Sequence, residues 1–571
     1  MNAEDIIFKE TLINAYKYGS ADTKIVFQKL MSYYPELRQR AKELKPIVDS
    51  VVEKINAMLR EEIESIVEDK YPEDIIEEKE EKDFLPPLVN AEKGKVVVRY
   101  PPEPSKHPHI GQMLSFCINH LIAERFEGKR ILRFDDTNPS KIKEEYYDSF
   151  REAILWMGLH IDEEVRASDY MNLYYEKAKE LLTKNDAYIC TCSREIMSKL
   201  RERGERCSCN LENTVETNHI LFDKMLAGGF EAGEAIVRLR GDMESKNHVL
   251  RDPVLLRVST LTHAIHEDKF KVWPMYDFES PIMENITGVT HILRSSGFGK
   301  MREELQSLIA KKLGIIPPNF TEYRRFSIIG APTQGRIIRE LVDDGTVTGW
   351  DDFRLVTYQA LRKRGIQPEV FIEIVKRIGA TKSATSIDWS LIFAINRKYV
   401  EPTSKHLFFV QDPVEIKIIN HKPEEVEIAY HPKNNEIGKR TVAVNDVLYL
   451  SGDDREMIKV GNVLRMKDLY NIKISKEISN KEYEAEFVGY DLLSNIPRIQ
   501  WVSEYVPVEI IKPEMLYLNK RINKNSLKEI QGYGEINLKK LKVGEIIQLE
   551  RFGYVKINHI NEKIKMNYIH G

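Results

Sequence analysis

The sequence has no surplus of positive charge: Lys and Arg number 85 against 89 Asp and Glu, a formal net of −4 over 571 residues. Bulk charge therefore gives no overall signal for nucleic acid, although a local positive surface is enough for a large enzyme to collect phosphate contacts. Long apolar runs are also missing. None reaches the roughly 20 residues that cross a bilayer, and no signal-like segment opens the chain, so a cytoplasmic protein without a membrane partner is expected. Cysteine is scarce, five in all, and four of the five form two C-x-C pairs, Cys190/Cys192 and Cys207/Cys209. In a cytosolic protein such pairs fit a four-thiolate zinc site better than disulfides. Four reduced structural cysteines are the competing reading, because a single intervening residue is tighter than the commoner spacing of two to four. Cys117 lies on a helical face and reads as core.

What is present is organised by periodicity. The length predicts roughly three to five domains. Val48, Val51, Val52, Ile55 and Met58 carry a helical stripe, and Glu61 to Asp83 follows with twelve acidic residues against three Lys. Residues 1–85 thus read as a helical domain and a solvated acidic linker. Beyond it, Val96–Val98 reads as a short strand, followed by a Pro-rich turn ending in His109-Ile110-Gly111. A helix follows with Leu114, Cys117, Ile118 and Leu121 on one face, and Arg130–Phe134 reads as a second strand. This unit sets a histidine and a glycine at a helix N-terminus, where exposed N–H groups and the helix dipole favour phosphate. From this stretch alone, an ordinary turn with a stray histidine is as good a reading. Past about Lys405, short β-rich runs such as Val414–Ile419 and Glu425–Ala429 alternate with Asn, Gly and Asp turns, which suggests one or two antiparallel barrels.

The run Pro102-Glu103-Pro104-Ser105 to Pro108-His109-Ile110-Gly111 resembles the first signature of class I aminoacyl-tRNA synthetases. Within that class, Leu132-Arg133-Phe134-Asp135-Asp136-Thr137-Asn138-Pro139 is similar to the glutamyl/glutaminyl subgroup. So are Trp273-Pro274-Met275-Tyr276-Asp277-Phe278, Gly288–Arg294 and Gly349-Trp350-Asp351-Asp352-Phe353. Nearly the whole chain is covered in order, and the β-rich C-terminal texture favours the archaeal glutamyl branch. The resemblance implies an α/β fold. A Rossmann-like catalytic domain is expected over 86–400, with an acceptor-binding insertion at about 187–265. The N-terminal helical domain precedes it, and antiparallel β-barrels over 401–571 would bind the anticodon. It implies a ligase that activates glutamate with ATP and Mg²⁺ to glutamyl-adenylate and pyrophosphate. The glutamyl group then passes to the 3′ end of tRNA(Glu), with tRNA(Gln) an open second substrate. Some relatives keep a zinc ion in the inserted region.

Site residues follow from the same resemblance. Pro104, Ser105, His109, Ile110, Gly111 and Gln112 are expected around ATP, with His109 a phosphate donor and Gly111 admitting the nucleotide. Arg99, Asp135, Tyr276 and Arg294 are expected around glutamate. Arg294 pairs with the γ-carboxylate on this reading; a side chain facing solvent or tRNA phosphate is the alternative. Four places depart from the family pattern. Gln112 stands at a frequent second histidine, and Lys106 replaces a glycine. Ser295-Ser296-Gly297-Phe298 replaces a more polar run. Pro332-Thr333-Gln334-Gly335-Arg336 occupies the place of a Lys-x-Ser-Lys loop, with Gly335 where a phosphate-stabilising lysine belongs. Losing one such donor typically costs about 2.7–4 kcal/mol. Arg336, Arg339 and Lys106 are the candidate substitute cations, and the expected catalytic set is His109, Lys106 and Arg336. Two further readings stand beside the ligase: a glutaminyl enzyme, which Arg294 disfavours, and a catalytically idle paralogue that binds tRNA.

Overall fold

A computed structural model describes residues 3–34, 37, 40–58, 62–63, 66–67, 70–71, 84–297, 299–379 and 385–571. Two compact units divide the chain, Met1–Asp83 and Phe84–Gly571. In the first, α1 (Ala3–Tyr18), α2 (Thr23–Tyr33) and α3 (Ala41–Asn56) share a core that includes Ile7, Leu12, Val26, Leu30, Val48 and Ile55. Asp22 starts α2 by accepting the Ile25 N–H at 2.9 Å, which satisfies one of the unpaired donors of a first helical turn. Most of the acidic stretch from Glu61 to Asp83 lies outside the described residues.

The second unit opens on a parallel sheet. β1 (Val97–Tyr100) leads to α4 (Ile110–Arg125), then β2 (Lys129–Phe134), α5 (Glu144–Trp156) and β3 (Glu163–Arg166). Val98, Arg99 and Tyr100 are all buried, as expected of a strand covered on both faces. An antiparallel sheet of four short strands follows: β4 (Ala187–Cys190), β5 (Ile236–Leu239), β6 (Val254–Val258) and β7 (Val272–Pro274). Helices α6 (Arg194–Arg203) and α7 (Ser208–Glu212) lie in the long connection between β4 and β5. Strands of three to five residues set among helices leave little alternation to read, and the sheet runs on to Pro274, past residue 265.

After α8 (Tyr276–Ile286), the chain returns to parallel pairing with β8 (His291–Ser295) and β9 (Asn319–Tyr323). Thr290, just before β8, donates its N–H to the Val97 carbonyl at 3.0 Å and accepts the Val97 N–H on its hydroxyl at 2.9 Å. The two ladders therefore lie side by side in the order β3-β2-β1-β8-β9. The chain reverses its winding between β1 and β8, and in such sheets ligands bind off the carboxyl ends of the strands at that point. A further helix of this region, α9 (Gly335–Asp343), begins at Gly335, and three more helices follow before residue 401.

Two seven-stranded, barrel-like sheets complete the chain. One takes strands Lys405–Leu407 and Phe409–Gln411 together with five strands from Tyr505 to His570; the other lies wholly between Val414 and Val502. The expectation of antiparallel barrels needs correction. Val508–Ile511 pairs parallel to Ile564–Asn567, and Glu415–Ile419 pairs parallel to Glu482–Glu486. Local alternation reveals a strand but not its direction relative to a partner far along the chain.

Candidate active site

A cavity of about 950 Å³ opens off the carboxyl ends of β1, β2, β8 and β9, and is bounded by the start of α4, by α8 and by the start of α9. His109 is the N-cap of α4. Its Nδ1 accepts the Gly111 N–H at 3.1 Å, so the ring's own N–H is on Nε2. Burial, with Lys106 and Arg325 nearby, pushes its pKa down to about 3. His109 is therefore a neutral N–H donor lining the cavity.

The same cap corrects one sequence expectation. The backbone N–H groups of the first turn are not available to phosphate. Ile110 donates to the Val356 carbonyl at 2.9 Å, Gly111 to His109 Nδ1, and Gln112 to the His109 carbonyl at 2.9 Å. The Gln112 side chain is also engaged, accepting the His109 N–H at 3.4 Å. Gly111 has a reason closer to home than nucleotide access: a Cβ there would stand 3.1 Å from His109 Cε1. Of the six residues expected around ATP, His109, Gly111 and Gln112 line the cavity, whereas Pro104, Ser105 and Ile110 do not. Ser105 is buried, and its carbonyl accepts from Arg339 Nη2 at 2.6 Å, which ties the turn before α4 to α9. Lys106 and Arg336 both line the cavity; Arg336 is largely exposed and sits 3.5 Å from Glu340.

The opposite end is built from buried charge. Arg99, on β1, donates from Nε to Glu284 Oε1 at 2.7 Å, and its Nη1 has no hydrogen-bond partner among the described residues. Asp135, at the end of β2, accepts from Arg133 at 2.6 and 3.2 Å. Tyr276, the first residue of α8, lines the cavity, and burial raises its pKa. Arg294, on β8, is buried with its guanidinium 4.4 Å over the Phe320 ring, and its Nη1 donates to Gln306 at 3.3 Å. An Arg294 facing solvent is excluded by that burial. Sequence reasoning missed Glu279. It is fully buried and lines the cavity; Thr137 donates to its Oε2, while Oε1 has no hydrogen-bond partner among the described residues. Burial, with Asp135 beside it, holds its carboxyl well above the usual range. Its position three residues after Tyr276 on one helix was the available signal.

Away from the cavity, the four paired cysteines converge at the end of β4 and the start of α7. Their sulfurs all lie within 4.8 Å of one another, with Cys190–Cys207 at 3.8 Å and Cys192–Cys209 at 3.7 Å. A tetrahedron of sulfurs around zinc at about 2.3 Å has edges of about 3.8 Å. Arg238 Nη1 lies 3.9 Å from Cys190 Sγ and 3.8 Å from Cys207 Sγ, a countercharge for thiolates.

Comparison with known proteins places these features in company. Residues 95–402 match the family model of tRNA synthetases class I (E and Q), catalytic domain. Residues 404–490 and 478–558 match two anti-codon binding domain models of the same class. The chain is 40% identical over 563 residues to the glutamate–tRNA ligase of Nitrosopumilus maritimus, covering 98% of each. It is 37% identical over 583 residues to that of Pyrococcus furiosus, covering 100% of each. With the Korarchaeum cryptofilum glutamate–tRNA ligase it shares 34% identity over 572 residues, 98% of each.

Proposed function

The chain belongs to the class I tRNA synthetase family of glutamate and glutamine, and from that premise we propose that the cavity joins glutamate to ATP for ligation to tRNA. Glutamate–tRNA ligase activity accords with relatives matched over almost the full length. The observation that carries glutamate rather than glutamine is Arg294, a buried guanidinium on the cavity wall, with Arg99 a second at the end of β1. Two carboxylates of one small substrate match two buried guanidinium groups. Glu303, 3.6 Å from Arg294, is already a weak, partly exposed countercharge. An amide in place of the γ-carboxylate forgoes the close bidentate ion pair, a loss of roughly 1–3 kcal/mol.

An oxygen of the glutamate α-carboxylate bonds to the α-phosphorus of ATP. The bond from that phosphorus to the bridging oxygen breaks, and pyrophosphate leaves with the electron pair. His109 donates from Nε2 to a phosphate oxygen, and positioning and charge stabilisation supply most of the acceleration. Mg²⁺ accompanies the nucleotide as counter-ion to its phosphates. A ribose hydroxyl at the 3′ end of tRNA(Glu) then takes the glutamyl group and releases AMP. The β4–β7 sheet is assigned to the acceptor end of the tRNA, and tRNA(Gln) stands as a second acceptor to be assayed. The cysteine cluster fits zinc by its sulfur spacing and by the Arg238 countercharge. There the metal would hold the segment from Arg194 to Arg206 against the sheet.

Aminoacylation of tRNA(Glu) and tRNA(Gln) transcripts with radiolabelled glutamate tests the proposal. Glutamyl-tRNA is expected. Tight tRNA binding with no product would favour the idle paralogue, whose support is the divergent loop 332–336 and the altered run 295–298.

A further inference from the structure

Among the described residues, the cavity is lined by one lysine, Lys106, and it packs against the glycine that opens α9. A Cβ built on Gly335 would stand 2.2 Å from Lys106 Cδ and 3.3 Å from its Cγ and Cε. The stem of Lys106 therefore fills the space that a side chain at 335 would need. One volume serves both positions, and in this chain the lysine comes from 106. Arg325 and Arg336 line the same cavity, and Arg339 reaches the Ser105 carbonyl next door. Burial lowers the Lys106 pKa; Glu103 opposes this, while Arg339, Lys141 and Arg325 add to it. Like charges gathered in a partly buried place repel one another and are relieved by a polyanion.

We propose that Lys106 contacts the ATP phosphates and supplies, from the turn before α4, the cation that the family resemblance assigns to position 335. The lysine and glycine have exchanged places across a single packing contact. Lys106 keeps its proton throughout. It donates a hydrogen bond to an oxygen of the departing pyrophosphate as negative charge builds there, and no bond to the lysine is made or broken. This rests on the reading of the cavity as the ATP site.

The test uses the full chain, with two readouts: glutamate-dependent ATP–pyrophosphate exchange with tRNA(Glu) present, and equilibrium titration with ATP. Lys106→Met keeps the stem and removes the charge. It should lower exchange about 10²–10³-fold and weaken ATP by about tenfold or more, with the glutamate KM little changed. Lys106→Gly should lose as much. The exchanged variant, Lys106→Gly with Gly335→Lys, should recover at least about tenfold over Lys106→Gly, the coupling expected of two positions in contact. Lys106→Met within about threefold of the native chain in both readouts would overturn the proposal, since one lost charge-assisted bond is worth more than that. So would a folded exchanged variant no better than Lys106→Gly. A native chain without exchange sinks the ligase reading instead. ATP affinity then decides Lys106 by itself, with tenfold weakening in Lys106→Met supporting the contact and an unchanged affinity ending it.

Discussion

Arg294 concentrates the substrate question in one guanidinium, stacked on Phe320 and held by Gln306. Arg294→Cys should lower kcat/KM for glutamate by about ten- to a hundredfold. ATP affinity should stay where it was, and relative use of glutamine should rise. If the variant instead shifts tRNA affinity and its salt slope at a constant glutamate-to-glutamine ratio, the residue does not read the γ-carboxylate. His109 does two jobs that substitution separates. His109→Asn keeps a capping acceptor and loses the Nε2 donor, so its thermal stability should stay close to native while activation falls about 10²–10³-fold. His109→Ala should lose both, the cap being worth about 1 kcal/mol. The histidine also leaves a signature in acid. Its folded pKa is about 3 against an ordinary 6.5. Below pH 6.5 the unfolded chain therefore takes up a proton that the folded chain refuses, and stability falls as pH drops toward 3. Melts from pH 7 to 4 should show a shallower decline for His109→Asn; parallel curves would mean the ring is protonated in the fold. His109, Asp135, Tyr276 and Arg294 were legible because each sits inside a short contiguous motif. Glu279 could be read only as a helical neighbour of Tyr276, since its hydroxyl donor Thr137 is 142 residues away and only folding joins them.

Among the elements, the cysteine cluster couples metal to structure most directly. Two adjacent C-x-C pairs were visible in the spacing, but Arg238, which comes from β5, was not. Metal analysis of the purified chain should return about one zinc per molecule, and Cys190→Ser with Cys192→Ser should abolish it. Because the site joins the end of β4 to α7, hydrogen exchange around residues 190–212 should speed up in that variant while β1 and β2 keep their protection. A fully active preparation free of metal would leave four plain thiols. The end of α4 was legible as a helix start from Pro-His-Ile-Gly, yet its spent N–H groups were not. Which carbonyl takes the Ile110 N–H depends on Val356, brought in from far along the chain.

Over the whole molecule, the strand–helix–strand unit and the β-rich C-terminal region could be anticipated from period and composition, while the parallel sheet was implied by the family resemblance. The insertion of one barrel-like sheet's sequence within that of the other could not, because nothing local records that strand Lys405–Leu407 pairs with Ile547–Leu549. Removing residues 564–571 should therefore unravel the flanking sheet, whose Tyr505–Pro513 strand loses its parallel partner. It should also loosen the catalytic unit, where Arg364 donates to the Ile569 carbonyl at 3.2 Å and Asn396 meets His570 at 3.1 Å. Amides between 414 and 502 should keep their exchange protection, and general loss across both sheets would show that they fold as one. The same insertion sets a timetable on the ribosome. The inserted sheet is complete once residue 502 has cleared the exit tunnel, whereas the flanking one waits with its edges open until residue 570 arrives. During that interval a nascent chain carries a finished inserted module between two halves of an unfinished one, and those unpaired edges are where a chaperone would be needed.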